Sequence, residues 1–191
     1  MGRRSLADER RPQIIAAAKR AIALHGLAGA TQELISAEAG LSRPHIRHYV
    51  GNRDELIDQV WSATIDPYVA GIRAAVAALD TRGIGVVLDY LFGPDLDRDE
   101  DSAVIEAFFT ESQHDPRVRA MAYRSYRELE DALSQCVRTA LAEPDPAKTD
   151  GIAYALLCLT IGASAVSGFP FPPSHRDGAR AAAELLLSPP S

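Results

Sequence analysis

The chain has 191 residues, of which 47% are apolar and 24% charged, and its net charge is −6. That length suits one ordinary domain or two small ones sharing a core, and the apolar share excludes wholesale disorder. Aromatics make up only 6% while Ala and Leu abound, which favours helix over strand.

The acidic total argues against a nucleic-acid partner until it is divided along the chain. Residues 1–53 hold nine Lys/Arg against four Asp/Glu, and residues 54–191 hold eleven against twenty-two. A basic head on an acidic body suits a protein that meets a polyanion at one end only. Cys136 and Cys158 give no disulfide framework. The N-terminus has the charges of a signal peptide but no apolar stretch behind them. The longest apolar run, around residues 152–166, is interrupted by Thr160, Gly162 and Ser164 and is too short to span a bilayer. These features predict a soluble cytoplasmic protein with no membrane association.

In chain order, residues 12–25 read as a helix. Pro12 fits its first turn, and Ile14, Ile15, Ala18, Ala21, Ile22 and Leu24 form an apolar face. Gly26 ends it. Thr31 caps a short helix over 32–39, Gly40-Leu41-Ser42 makes a tight turn, and Ser42 caps a second short helix over 43–49. Asn52 opens a long helix with Glu55 in a capping-box arrangement, and Pro67 should kink or break it near Ile65. Further helices are predicted at about 83–92, 102–114, 116–142, 146–168 and 174–187. The acidic stretch 95–101 is expected as a solvated loop. No segment has strand periodicity, and there is no internal repeat. The fold class is all-α, with a three-helix helix-turn-helix head over 1–53 and a helical body over 54–191.

Residues 31–50 carry the function. Two short capped helices flank a tight turn, with Leu34, Ile35, Ala39, Leu41, Ile46 and Val50 able to face inward. That is the pattern of a helix-turn-helix, whose second helix enters the major groove of double-stranded DNA. Ala39 and Gly40 are expected where the two helices cross closely. The second helix offers Arg43, His45, Arg47 and His48 within six positions. Arginine reads guanine edges and clamps phosphates, and the Tyr49 hydroxyl can bind a phosphate. Thr31, Ser42 and Arg53 stand at helix N-termini, where backbone N–H groups also favour phosphate. An ordinary pair of short core helices is the plainer alternative, and it leaves the basic head unexplained.

Residues 14–57 resemble the DNA-binding domain of the tetracycline-repressor (TetR) family. The resemblance lies in IIAAAKRAIALHGL, TQELISAEAGLSRPHIRHYV and GNRDELI. Ile14, Ala17, Ala18, Gly26, Ile35, Ala39, Gly40, Ser42, His48, Tyr49 and Leu56 stand at matching places. Ser36 replaces the usual Ala, Arg47 the usual Tyr, Val50 the usual Phe and Arg53 the usual Lys. The resemblance implies a transcriptional repressor that binds a quasi-palindromic operator as a homodimer and leaves it when a small effector binds.

In the body, large side chains recur on helices that should meet. They are Trp61, Ile65 and Tyr68, then Leu88, Leu91 and Phe92, then Phe108 and Phe109, then Tyr123 and Tyr126. Singly, each is more simply a core residue. As a set, and given the resemblance, they imply a largely apolar effector pocket between helices. The last two helices correspond to the family's dimerisation pair, with Ala153, Ala155, Leu156, Leu159, Gly162, Ala163, Val166, Ala182 and Leu186 allowing close approach. No catalytic or cofactor role is expected, because HExxH, GxSxG, CxxC and a phosphate-cradling Gly loop are all missing. Glu106, Glu111, His114 and Asp115 are spread around a helix and past its end, which suits a solvated face better than a metal site. A ligand sensor without DNA binding is the remaining rival, and salt-dependent affinity for duplex DNA separates the two.

Overall fold

A computed structural model describes residues 6–93, 99–141 and 145–188, and no strand occurs among them. The helices are α1 (Leu6–Gly29), α2 (Gln32–Ala39), α3 (Arg43–Val50), α4 (Arg53–Ala77), α5 (Leu79–Arg82), α6 (Gly85–Phe92), α7 (Asp99–Ser112), α8 (Pro116–Leu141), α9 (Pro146–Ala165) and α10 (Pro173–Leu186). Packing sorts the chain into two units. The first takes residues 1–66 and 99–122, the second 67–98 and 123–191. The first is therefore larger than the head drawn from sequence over 1–53, because α7 packs on α1.

Helix α1 starts well upstream of the expected boundary, which puts Pro12 inside the helix instead of in its first turn. Of the predicted apolar face, Ile14, Ala18, Ala21 and Ile22 are buried, Ile15 is half-buried and Leu24 is 77% exposed, while Ala17, not assigned to that face, is buried as well. At Gly26 the backbone turns to φ 70°, ψ 170°, so the regular helix does end there, and one further turn follows.

Between α2 and α3, Gly40 sits at φ 62°. Its N–H donates to the Ala37 carbonyl, and the Leu41 N–H donates to the Ser36 carbonyl at 3.1 Å. This pair of bonds is a Schellman motif, which closes the helix through a left-handed residue. A Cβ at Gly40 would meet nothing within 4 Å. The turn therefore needs this glycine for its positive φ, and not for the close helix crossing the sequence suggested. Leu34, also expected inward, is 39% exposed, and Leu41 is half-buried.

The Ser36 hydroxyl, where the family pattern has Ala, is buried and has no hydrogen-bond partner. Ser36→Ala should raise the stability of the protein by about 1 kcal/mol, because it removes an unsatisfied polar atom and improves helix propensity. Denaturant unfolding measures this, and a loss of stability would mean that the hydroxyl has a partner in solution.

Helix α4 opens with the expected capping box. The Asn52 N–H donates to Glu55 Oε2 at 2.7 Å and the Glu55 N–H to Asn52 Oδ1 at 3.0 Å. It then runs through Pro67 without the predicted break. Pro67 lacks an N–H, so the Ala63 carbonyl loses its helical donor. The Lys19 ammonium of α1 supplies one at 3.2 Å and also pairs with Asp101 of α7 at 2.7 Å. Asp101 is thus a largely buried member of a helix, whereas residues 95–101 were expected as a solvated loop, of which 95–98 lie outside the described residues.

In the second unit, Val87, Leu88, Leu91 and Phe92 of α6 are buried with Leu133, Cys136 and Val137 of α8, Leu156 of α9 and Ala183 of α10. Helix α6 packs on α9 and α10, and Arg180 of α10 pairs with Asp89 of α6 at 2.8 Å. Tyr90 donates to the Tyr68 carbonyl at 3.1 Å. It can approach α4 this closely because residue 71 is glycine, where a Cβ would collide with the phenol.

Candidate nucleic-acid interface

The interface is the exposed side of α3, and its geometry follows from how α3 is held. Ile46 and Val50 are 2% and 3% exposed and anchor the inner side. At the C-terminal end, Gln59 of α4 donates to the Val50 carbonyl at 2.7 Å and Arg11 of α1 to the Tyr49 carbonyl at 3.3 Å. These donors satisfy carbonyls that a short helix leaves open. Helix α2 is braced in turn, as Gln13 donates to the Ala39 carbonyl at 2.8 Å and Arg20 pairs with Glu38 at 2.6 Å. The result is a short helix anchored on its inner side and at its C-terminal end, with one side open.

On the open side, Ser42, Arg43, His45, Arg47 and His48 are exposed. The Arg47 guanidinium has no hydrogen bond or ion pair among the described residues, and Arg43 is paired with Glu33 of α2. Ser42 takes the N-cap backbone conformation, but its hydroxyl does not cap the helix. It lies 3.0 Å from His45 Nδ1 instead. When the hydroxyl donates there, Nε2 carries the ring proton and can donate to an acceptor on DNA. Tyr49 is half-buried, with its ring edge-on to His48 at 4.9 Å. The Thr31 hydroxyl caps α2 by accepting from the Leu34 N–H at 3.3 Å, as expected.

Arg53, anticipated at a phosphate, has a different role. Its guanidinium donates to the Ala30 and Leu27 carbonyls, both at 2.7 Å, at the end of α1. That is the work of a C-terminal helix cation, and it locks the start of α4 against α1.

The residues anticipated for a ligand fall in different places. Within the first unit, Trp61 and Phe108 stack at 4.9 Å with their planes 41° apart, and Ile65 is buried. Phe109, in the same unit, is 55% exposed and does not join that cluster. In the second unit, Leu88 and Phe92 are buried, Tyr68 and Tyr126 half-buried, and Tyr123 is 63% exposed. Burial pushes the Tyr126 phenol above its ordinary pKa and raises the Cys136 thiol to about 11, which leaves Cys136 unreactive. Sequence reasoning missed one feature of this unit, a groove of about 510 Å³ lined by Arg73, Val76, Ala77, Asp80, Glu128, Asp131, Ala132, Gln135 and Thr139. Its charged residues, Arg73, Asp80, Glu128 and Asp131, lie on α4, α5 and α8 at spacings that read in sequence as ordinary solvated surface.

Among the described residues no three His, Cys, Asp or Glu side chains are grouped to hold a metal, and no helix is long and apolar enough to cross a membrane.

A short helix braced at its C-terminal end with an exposed basic row suits the reading element of a DNA-binding regulator, and comparisons with known proteins give the class of the protein. Residues 14–60 match the family model for bacterial regulatory proteins of the tetR family. Residues 84–188 match the model for the C-terminal part of BetI-type transcriptional repressors. The chain belongs to the TetR family of transcriptional regulators, with a BetI-type C-terminal part. It is 29% identical over 179 residues to the HTH-type transcriptional regulator BetI of Burkholderia thailandensis, covering 90% of this chain and 89% of that protein. Among solved structures, a TetR-family regulator from Mesorhizobium loti shares the fold with a TM-score of 0.77 at 16% identity, over 96% of this chain and 97% of that one. A transcriptional regulator from Saccharomonospora viridis, solved in complex with choline, does so with a TM-score of 0.71 at 19% identity, over 94% and 95% of the chains. The family consists of DNA-binding regulators and not of enzymes.

Proposed function

We propose that this protein is a dimeric repressor that reads a quasi-palindromic operator through α3 and leaves it when a small effector with a largely apolar surface binds. The observation that carries the reading is the exposed row Arg43, His45, Arg47 and His48 on a helix anchored by Ile46 and Val50 and braced at its C-terminal end. Arg43, Arg47 and His45 are assigned to base edges, and Thr31, Ser42, His48 and Tyr49 to the flanking phosphates. Repression is the activity named in the C-terminal family description.

The dimer is assigned to α9 and α10. These helices pack on each other and leave Tyr154, Ile161, Val166 and Leu185 exposed, with Gly162 and Gly178 beside them. Two of the residues expected there, Ala153 and Leu156, are buried within their own chain. A two-fold axis through this face would make each half-site of the operator equivalent.

The effector is assigned to the aromatic set around Trp61 and Phe108, which are packed on each other and would have to part to admit it. Choline, held by the Saccharomonospora viridis neighbour, is a suitable probe, because aromatic faces attract a quaternary ammonium and contact its methyl surface. A ligand shifts the protein off DNA only by its preference for the DNA-incompetent state.

Selection of bound duplexes from a random pool tests the reading. The expected result is a palindrome whose affinity falls steeply with salt. A non-palindromic or unselective pool would overturn it. Arg47→Ala should weaken operator binding on the order of tenfold or more. A loss confined to one base pair would mark a reader, and a uniform loss with a shallower salt slope a phosphate contact. Choline that binds, seen in Trp61 emission, without changing operator affinity would reject choline as the effector.

A further inference from the structure

One contact at the interface is at odds with a surface built only to attract DNA. Glu33, in the first turn of α2, is paired with Arg43 at the start of α3, and the two side chains are 59% and 53% exposed. A pair this open to solvent adds little to stability. Glu33 suits the N-terminal dipole of α2, but that purpose needs no arginine. Whatever approaches Arg43 also meets a carboxylate, and beside phosphates that carboxylate lowers affinity. A residue that costs affinity at a reading position is explicable if it contributes selectivity.

The chemistry of the pair suggests what it selects. In the major groove a G·C pair presents two acceptors, guanine N7 and O6, and one donor, the cytosine amino group. An arginine held by a carboxylate presents the complement, a fork of donors beside an acceptor. The ion pair also restricts the Arg43 side chain before DNA arrives, so less freedom is lost on reading.

Resting on the proposed interface, we infer that Glu33 and Arg43 form one reading unit for a G·C pair in each half-site, with Arg43 donating to guanine and Glu33 accepting from the cytosine amino group. Glu33 is thereby a specificity-determining residue supplied by α2 and not by the recognition helix.

Duplex selection followed by binding measurements on wild type, Glu33→Ala, Glu33→Gln, Arg43→Ala and Glu33→Ala/Arg43→Ala tests this. The wild type should demand one G·C pair per half-site. Glu33→Ala should lose about tenfold of the preference at that pair, Glu33→Gln, which keeps an acceptor oxygen, should lose less, and both should keep their other preferences and bind non-specific duplex more tightly. Arg43→Ala should lose preference at the same pair, and the double variant should lose no more than Arg43→Ala does. If Glu33 only supported α2, its removal would lower the melting temperature and the affinity for every sequence alike, and the inference would fall. It also falls if wild type selects a site and both Glu33 variants select the same one with undiminished preference. If wild type selects no site, the interface reading fails first and this one with it.

Discussion

Truncating Phe108 to alanine should lower the unfolding free energy by about 3–5 kcal/mol. Phe108 is fully buried in α7, and its ring stacks on Trp61 of α4 at 4.9 Å. Removing it deletes apolar area and leaves a cavity beside an indole that is itself 2% exposed. The surrounding helices can close such a cavity only in part, because Val104 of α7 and Ile65 of α4 are buried as well. The neighbouring residue gives the control. Phe109 is 55% exposed, and Phe109→Ala should change stability by no more than about 0.5 kcal/mol. The chain has a single tryptophan, so Trp61 emission reports on this cluster directly, and denaturant curves at several protein concentrations separate unfolding from dissociation of the proposed dimer. Equal stability losses in the two variants would show that the Trp61–Phe108 stack is not a packed core.

The contrast between Phe108 and Phe109 also shows what the sequence could tell. Adjacent residues on a helix point about 100° apart, so the two rings leave α7 in different directions, and tertiary packing buries only Phe108. The same lesson holds on α8. Ala122, Tyr126, Leu129, Leu133 and Cys136 recur every three or four residues and form the buried or half-buried side, while Tyr123 lies off that line and is exposed. Leu24 sits at the edge of the apolar arc of α1, where tertiary packing and not periodicity decides burial. Local signals fared better. Thr31 as an N-cap, the tight turn at Gly40 and the Asn52–Glu55 box were legible because each depends on backbone groups within a few residues. The basic row of α3 was legible for the same reason, since a helix eight residues long with two buried anchors fixes which side remains open. The roles of Arg53 and Glu33 were not. Arg53 reaches carbonyls 23 and 26 residues back, and Glu33 meets an arginine on the next helix. Partners at such range depend on the finished fold.

The continuity of α4 through Pro67 depends on range in the same way, and it yields the second large effect. A proline inside a helix ordinarily costs about 3 kcal/mol, in part because the carbonyl four residues earlier is left without its donor. Here that carbonyl belongs to Ala63, and the Lys19 ammonium reaches it at 3.2 Å while holding Asp101 at 2.7 Å. The Lys19 and Asp101 side chains are only 14% and 15% exposed. Lys19→Met keeps most of the stem but removes both bonds, leaving a largely buried carboxylate and a more exposed carbonyl without their donor. Complete burial would put the cost at roughly 3–5 kcal/mol, and partial solvent access reduces it to an expected 2–3 kcal/mol, on the order of a fully buried hydrogen-bond network. Pro67→Ala changes the sum in a specific way. Pro67 is exposed, so its ring takes little packing with it, and alanine restores the N–H that Ala63 lacks. In that background Lys19→Met should cost about 1 kcal/mol less, because only Asp101 then loses a partner. Denaturant unfolding of the two single variants and the double variant completes the cycle. Strict additivity would mean that Lys19 does not serve the carbonyl that Pro67 frees. A Lys19→Met cost no larger than that of an ordinary surface change would remove the junction of α1, α4 and α7 from the account of how the first unit is held together.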